Sequence, residues 1–343
     1  MQKGGGGVAG ERILVIDLAF IGDVILATPT VRALKEAYPA AHITMLTVPL
    51  TADVAAMNPY VDEVMVYDKR GVDRGIFGLW RVARRLKAQH FDLAVCMNFA
   101  LRGAALSWLA GIPRRLGYDA QHGGLFLNLV ASSKRAGICH ETLNHLEVLK
   151  PLGITTKDTS LVLTPPPAAW AGLKEKREIH HIPEAGYLAL CPFGSYERKD
   201  LPLATAAHLA RHWSRRRAIF LIGGPAERER LEQVARLAGL PLGNVLGGAL
   251  TLPELAAFLQ KAACLITVDT GPLHVAQGVG CRTVAVFGPT DPRVWGPRGK
   301  EDAVFYSGYD CSPCWGKGKC FRQYTCISDA TAREIIHVVE EEV

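Results

Sequence analysis

The chain has 343 residues, 49% of them hydrophobic and 21% charged, and at about 150 residues per domain that length predicts two domains. This apolar content excludes disorder as the dominant state, and Gly 34 and Pro 20 are near average, which excludes collagen-like and low-complexity chains. Lys+Arg 39 against Asp+Glu 33 leaves a formal charge of +6, too weak to indicate a nucleic acid but suited to an anionic substrate or a membrane surface.

Residues 1–10 are Gly-rich with no apolar stretch, and are expected to form a flexible tail rather than an export signal. Without export, the nine cysteines are expected in a reducing compartment, where disulfides are not the default. Ile13–Ile16 is a buried-strand run; a loop over Asp17–Gly22 leads to a helix from Asp23 to near Tyr38, with Val24, Ala27, Val31 and Leu34 at helical spacing. Strands follow at His42–Val48, Glu63–Tyr67, Asp92–Met97 and Arg115–Gly117. Helices lie between them around Asp53, at Leu79–Lys87 and at Ala100–Leu109, and another follows at Glu141–Leu149. No apolar run reaches the about 20 residues of a membrane span.

The Pro-rich stretch Leu163–Pro167 reads as a linker. Strand–helix alternation then restarts. Strands are predicted at Tyr187–Cys191, Ala218–Ile222, Cys264–Val268 and Thr283–Phe287. Helices are predicted at Leu203–Arg216, Ala226–Ala238, Pro253–Ala262, Pro272–Gly278 and Ala330–Glu342. Such alternation implies α/β architecture with parallel sheets covered on both faces. Two doubly wound domains facing across a cleft are expected, spanning 11–165 and 166–329.

In open parallel sheets ligands bind beyond the carboxyl ends of strands, which selects five loops. The first, Asp17–Asp23, lacks G-x-G-x-x-G, so a dinucleotide-dependent dehydrogenase or epimerase is disfavoured. There Asp23 is either a helix cap or a general base, and Gly22 would permit a tight turn. The second, Cys191–Pro202, places Gly194, Ser195 and Lys199 where a phosphate could be held. The third offers Gly223, Gly224 and Glu227. The fourth, Val268–His274, carries Asp269, Thr270, Gly271 and His274 at a strand end entering a helix. The fifth, Phe287–Pro297, is a rigid turn.

The ordered set resembles the ADP-heptose:lipopolysaccharide heptosyltransferases of glycosyltransferase family 9. It consists of Ile13–Ile16 with Ile21–Val24, Thr28–Lys35, Ala110–Tyr118, Cys191–Gly194 with Lys199, Gly223–Gly224, Asp269–His274 and Phe287–Pro292. The resemblance implies a GT-B fold, two Rossmann-like domains with the acceptor on the first and the nucleotide sugar on the second. The final helix, 330–343, would pack back on the first domain. It implies inverting transfer of heptose from ADP-heptose to a Kdo- or heptose-linked lipid A acceptor, with no cofactor required. By the same resemblance Asp23 is the general base and Lys199 compensates the diphosphate, with Ser195 beside it. Glu227 lies near the ribose, Leu250 and Thr251 flank the adenine, Asp269 binds the heptose, and Thr270, Gly271 and His274 border the phosphates. Where the family has an aromatic residue before proline, this chain has Asp200-Leu201-Pro202.

Basic residues of the first domain suit an anionic lipid acceptor: Arg84 and Arg85, Arg114 and Arg115, and Lys134 and Arg135. A cytoplasmic enzyme attached peripherally to the inner face of the inner membrane is expected. Cys311, Cys314, Cys320 and Cys326 (C-x2-C-x5-C-x5-C) are considered as a structural zinc site, with free thiols or disulfides favoured over it. The alternatives are a family 9 enzyme using another nucleotide sugar or acceptor and, behind it, a zinc-stabilised nucleic-acid binder. The latter leaves the five loops unexplained.

Overall fold

The computed structural model describes residues 11–97, 99, 101–132, 139–321, 323, 325–328 and 332–340. The Gly-rich tail and the pair Lys134 and Arg135 lie outside them. The chain divides into two compact units between Leu163 and Thr164.

The first unit contains β1 (Arg12–Ile16), α1 (Ile21–Leu26), α2 (Thr28–Ala37), β2 (His42–Thr47), α3 (Ala52–Ala56), β3 (Glu63–Val66), α4 (Gly75–Lys87), β4 (Leu93–Cys96), α5 (Leu101–Leu109), β5 (Arg114–Tyr118), β6 (Leu129–Ala131) and α6 (Glu141–Glu147). Its strands form one parallel sheet in the order β3-β2-β1-β4-β5-β6. Burial on both faces explains why β1 and β4 read as unbroken apolar runs rather than alternating ones. Leu14, Ile16, Leu46, Val82, Leu86 and Ala94 belong to its core. The single helix expected from Asp23 is two: α1 ends at Ala27, and α2 restarts with Pro29 in its first turn, where a missing N–H costs nothing. Segment 158–162 stays with this unit. The Arg32 guanidinium, buried in α2, bonds the Asp158 side chain at 2.9 Å, and Val162 N–H donates to Thr28 Oγ1 at 3.2 Å.

The second unit contains α7 (Pro167–His180), β7 (Leu188–Cys191), α8 (Leu203–Ser214), β8 (Ile219–Leu221), α9 (Arg228–Ala238), α10 (Leu252–Lys261), β9 (Cys264–Val268), α11 (Gly271–Gly278), β10 (Thr283–Phe287), α12 (Pro292–Trp295), β11 (Ala303–Tyr306), α13 (Thr325–Ser328) and α14 (Ala332–Glu340). Its parallel sheet runs β8-β7-β9-β10-β11. Helix α7 occupies residues directly after the presumed linker, because Pro167 opens it at a position that tolerates proline. The final helix corrects an expectation. Ile335, Ile336 and Val339 of α14 join Ala206, Leu209 and Ala210 of α8 in the second unit's core. Glu340 at its end meets His212 and Arg216. Its apolar stripe is thus consumed within its own unit.

Candidate active site

In the second unit β7 and β9 are neighbours, and their following crossovers diverge, β7 to β8 on one side and β9 to β10 on the other. That topological switch point opens a crevice at the strand ends, and the predicted residues gather there. After β7, Gly194 N–H donates to Asp200 Oδ1 at 2.8 Å, and Arg230 holds the other Asp200 oxygen at 2.7 Å while lying 3.9 Å from the Phe193 ring centre. A Cβ on Gly194 would sit 2.6 Å from Lys199 Cβ, so glycine is what lets the lysine fold back over the loop. Lys199 Nζ donates to Asp269 Oδ2 at 2.6 Å, and Thr290 Oγ1 donates to the same oxygen at 2.7 Å. Three loops, following β7, β9 and β10, therefore converge on one largely buried carboxylate.

Beside this cluster, His274 is buried in α11 with Nδ1 3.1 Å from Gln277 Oε1. Burial pushes its imidazole below the ordinary value; Lys199 adds to that, and Asp269 and Gln277 oppose it. Thr270 N-caps α11 without using its side chain, Pro272 opens the helix with no N–H, and Leu273 N–H donates to Thr270 O at 3.1 Å. Ser195 is exposed on the first loop.

A second group flanks the edge strand β8. Segment 245–248 runs beside it: Leu246 N–H donates to Leu221 O at 2.8 Å, and Gly248 N–H to Gly223 O at 2.9 Å. Gly248 has φ +69, and a Cβ there would meet Pro225 Cα at 2.9 Å. This close approach brings Gly248 to the loop holding Gly223, Gly224 and Glu227, two residues before Leu250. The Thr251 hydroxyl caps α10 by accepting from Glu254 N–H at 3.4 Å, and Glu254 returns a bond to Thr251 N–H at 2.7 Å. Its side chain is thereby a helix cap.

The Cys-rich segment fastens two of these loops. Arg198 donates to Gly316 O at 3.1 Å and Gly318 O at 2.7 Å, and Gly316, at φ +69, lies against the Tyr196 ring. Trp315 N–H donates to Pro289 O at 2.7 Å, and Ser312 Oγ donates to Gly288 O. Cys311, Cys314 and Cys326 are not in disulfides. Burial first, then the neighbouring Cys320, Cys314 and Cys311, push the Cys326 thiol up. Among the described residues no group of three or more His, Cys, Asp or Glu side chains is arranged to hold a metal ion. The zinc arrangement considered from the spacing is therefore not assembled here.

In the first unit, Asp23 lies in the first turn of α1 and accepts Phe20 N–H on Oδ2 at 3.2 Å. Burial raises its carboxyl above the ordinary value, the Phe20 bond opposes this, and the Glu141 carboxylate of α6 raises it further. The Phe20 bond makes this carboxylate a capping group of α1. Gly22 sits inside α1 and is absent from the positive-φ glycines, so no special turn depends on it.

The expected basic residues separate. Arg114 and Arg115 begin β5, at the opposite end of the sheet from the Asp23 loop. Arg114 is paired with Glu11 at 2.7 Å, and Arg115 donates to Phe126 O and Ile112 O, each at 2.7 Å. Both side chains are thus engaged within their own unit. Arg84 and Arg85 lie on exposed positions of α4. The strand-end cations are others. Lys69, after β3, donates to Leu18 O at 2.8 Å, and Arg102 of α5 reaches Tyr67 OH at 3.4 Å. Burial, then Arg102 and Arg70, push the Lys69 ammonium down against Asp17. No local motif marks these residues; sheet order alone brings them together, as it brings Thr290 to Asp269.

The profile of glycosyltransferase family 9 (heptosyltransferase) matches residues 79–325. The chain is 27% identical over 307 residues to lipopolysaccharide heptosyltransferase 3 of Escherichia coli, covering 85% of this chain and 87% of that one. The glycosyl transferase family 9 structure from Veillonella parvula superposes with a TM-score of 0.84 at 27% identity, over 96% of both chains. The E. coli heptosyltransferase WaaC with ADP-2-deoxy-2-fluoro heptose shares the fold, with a TM-score of 0.72 at 21% identity over 97% of this chain and all of the other (100%). Two parallel-sheet units, the loop cluster at a switch point and the profile match agree: this chain belongs to glycosyltransferase family 9, and it is a glycosyl-transferring enzyme of the GT-B fold.

Proposed function

We infer that this enzyme transfers heptose from ADP-heptose, with inversion, to a Kdo- or heptose-linked lipid A acceptor of the lipopolysaccharide inner core. The observation that carries this reading is the Lys199–Asp269–Thr290 cluster, built where an open parallel sheet binds ligands. Its Lys199 ammonium is already directed into the crevice and balanced by one carboxylate. A bound diphosphate would share that ammonium, releasing Asp269 Oδ2 to accept sugar hydroxyls. As the glycosidic bond to the leaving diphosphate breaks, negative charge grows on its oxygen, and Lys199 with the α11 backbone N–H groups stabilises it. In this reading Leu250 packs its apolar side chain on the adenine and Glu227 accepts hydrogen bonds from the ribose hydroxyls.

On the first unit Asp23 takes the proton of the attacking acceptor hydroxyl. Its raised pKa brings it nearer the working pH, which strengthens a carboxylate base. Lys69, Arg70 and Arg102 would attract the carboxylates and phosphates of the acceptor. No cofactor enters this scheme. The protein works as a cytoplasmic enzyme in peripheral contact with the inner face of the inner membrane. The test is thermal shift with ADP, ADP-heptose, UDP-sugars and NAD, followed by transfer to defined core acceptors. ADP and ADP-heptose stabilise the native protein, and Lys199→Ala loses that stabilisation. Stabilisation by a UDP-sugar instead would replace the donor assignment.

A further inference from the structure

We propose that the outward face of α4, with the turn before it, docks this protein on an anionic lipid surface. The inference rests on the membrane contact proposed above and names the face that makes it. Within nine residues Val72, Ile76, Phe77 and Trp80 are 76%, 58%, 83% and 51% exposed. The opposite face of the same helix, Val82, Ala83 and Leu86, is packed in the core, so α4 is apolar on the side turned away from its own sheet as well. Exposed apolar side chains grouped this closely mark a surface that binds something.

The charges around them select the partner. Arg74 precedes α4 and Arg84, Arg85 and Lys87 close it, while Arg70 stands in the preceding turn. Arg81 fastens that turn by donating to Val72 O at 2.8 Å and to Asp73 at 3.3 Å. Aromatic and aliphatic side chains interleaved with arginines on one helix face match the boundary between acyl chains and anionic headgroups. There Trp settles at the interface and long cationic side chains reach outward. A second copy of the chain would bring the same arginines against themselves, which disfavours self-pairing through this face. With no helix among the described residues long and apolar enough to cross a membrane, α4 would lie in the interface plane. The same turn carries Lys69 and Arg70, so docking would set the acceptor cations at the lipid surface.

The experiment is co-sedimentation with vesicles of phosphatidylcholine alone and of phosphatidylcholine with phosphatidylglycerol, alongside ADP thermal shift and transfer to a delipidated acceptor. The native protein binds the phosphatidylglycerol vesicles and not the neutral ones, and added salt weakens binding. Phe77→Ser/Trp80→Ser lowers partitioning at least about tenfold. Arg74→Ala lowers it about fivefold. Both variants keep ADP stabilisation and turnover of the delipidated acceptor. Native-like sedimentation of the double variant, or equal binding to neutral vesicles, overturns the proposal. A native protein that dimerises through this face and ignores vesicles also overturns it. Loss of ADP binding in the native protein would instead strike the transfer reading and leave the docking result standing.

Discussion

The strand-end loops of the two units differ in how their charges are settled. In the second unit the cation, the carboxylate and the hydroxyl are already joined: Lys199, Asp269 and Thr290 meet on one oxygen, and Asp200 and Arg230 brace the loop beneath. In the first unit, like charges are kept together. Asp23 faces Glu141, and Lys69 faces Arg70 and Arg102. A site with internally balanced charge is preorganised to bind a nucleotide and compensate its departure. A site where like charges meet carries shifted proton affinities, which suits proton transfer and capture of an anionic partner. Two similar folds thus hold opposite electrostatic designs.

Substitutions that erase the difference should have graded effects. Lys199→Ala removes the only ammonium of the described donor cluster and is expected to cost about 10²–10³ in turnover together with donor affinity; steady-state kinetics with ADP-heptose checks both. Thr290→Val keeps the shape and removes one hydrogen bond to Asp269, so donor KM should rise about fivefold to tenfold with a smaller change in kcat. Glu141→Gln removes the like charge beside Asp23, lowering its pKa. The base form of Asp23 then persists to lower pH, and the acid limb of the pH–rate profile moves down. Arg115→Ala, at the opposite end of its sheet from the Asp23 loop, should leave acceptor KM unchanged and only lower Tm by a few degrees.

Much of the fold was legible because buried parallel strands announce themselves as apolar runs, as at Ile13–Ile16 and Cys264–Val268. The residues proposed for the donor follow such runs directly, which is why the sequence draws attention to them. What escaped depends on distance along the chain. Thr290 touches Asp269 only because β10 lies beside β9, and Lys69 meets Arg102 only because both lie at strand ends of one sheet. Counting basic residues says nothing of which end of a strand they occupy, and Arg114 and Arg115 begin β5 where Lys69 follows β3. Helix α7 was missed because a run of prolines reads as a break, although its last member is a helix opener. The return of α14 to the first unit was an inference from resemblance, and the apolar stripe of the helix is matched instead by α8.

Raised in the folded state, the Asp23 carboxyl binds its proton more tightly there than in the unfolded chain. Stability is therefore lost as pH rises from the ordinary carboxylate value through the folded one, and at neutral pH the charged form is a liability. A neutral isostere should relieve it without disturbing the second unit. The most direct test of this division of labour is Asp23→Asn, with ADP affinity, Tm and heptosyl transfer measured on the same preparation. The account predicts native ADP affinity, Tm held or raised, and transfer reduced about 10²–10⁴-fold. Transfer at the native rate would contradict it.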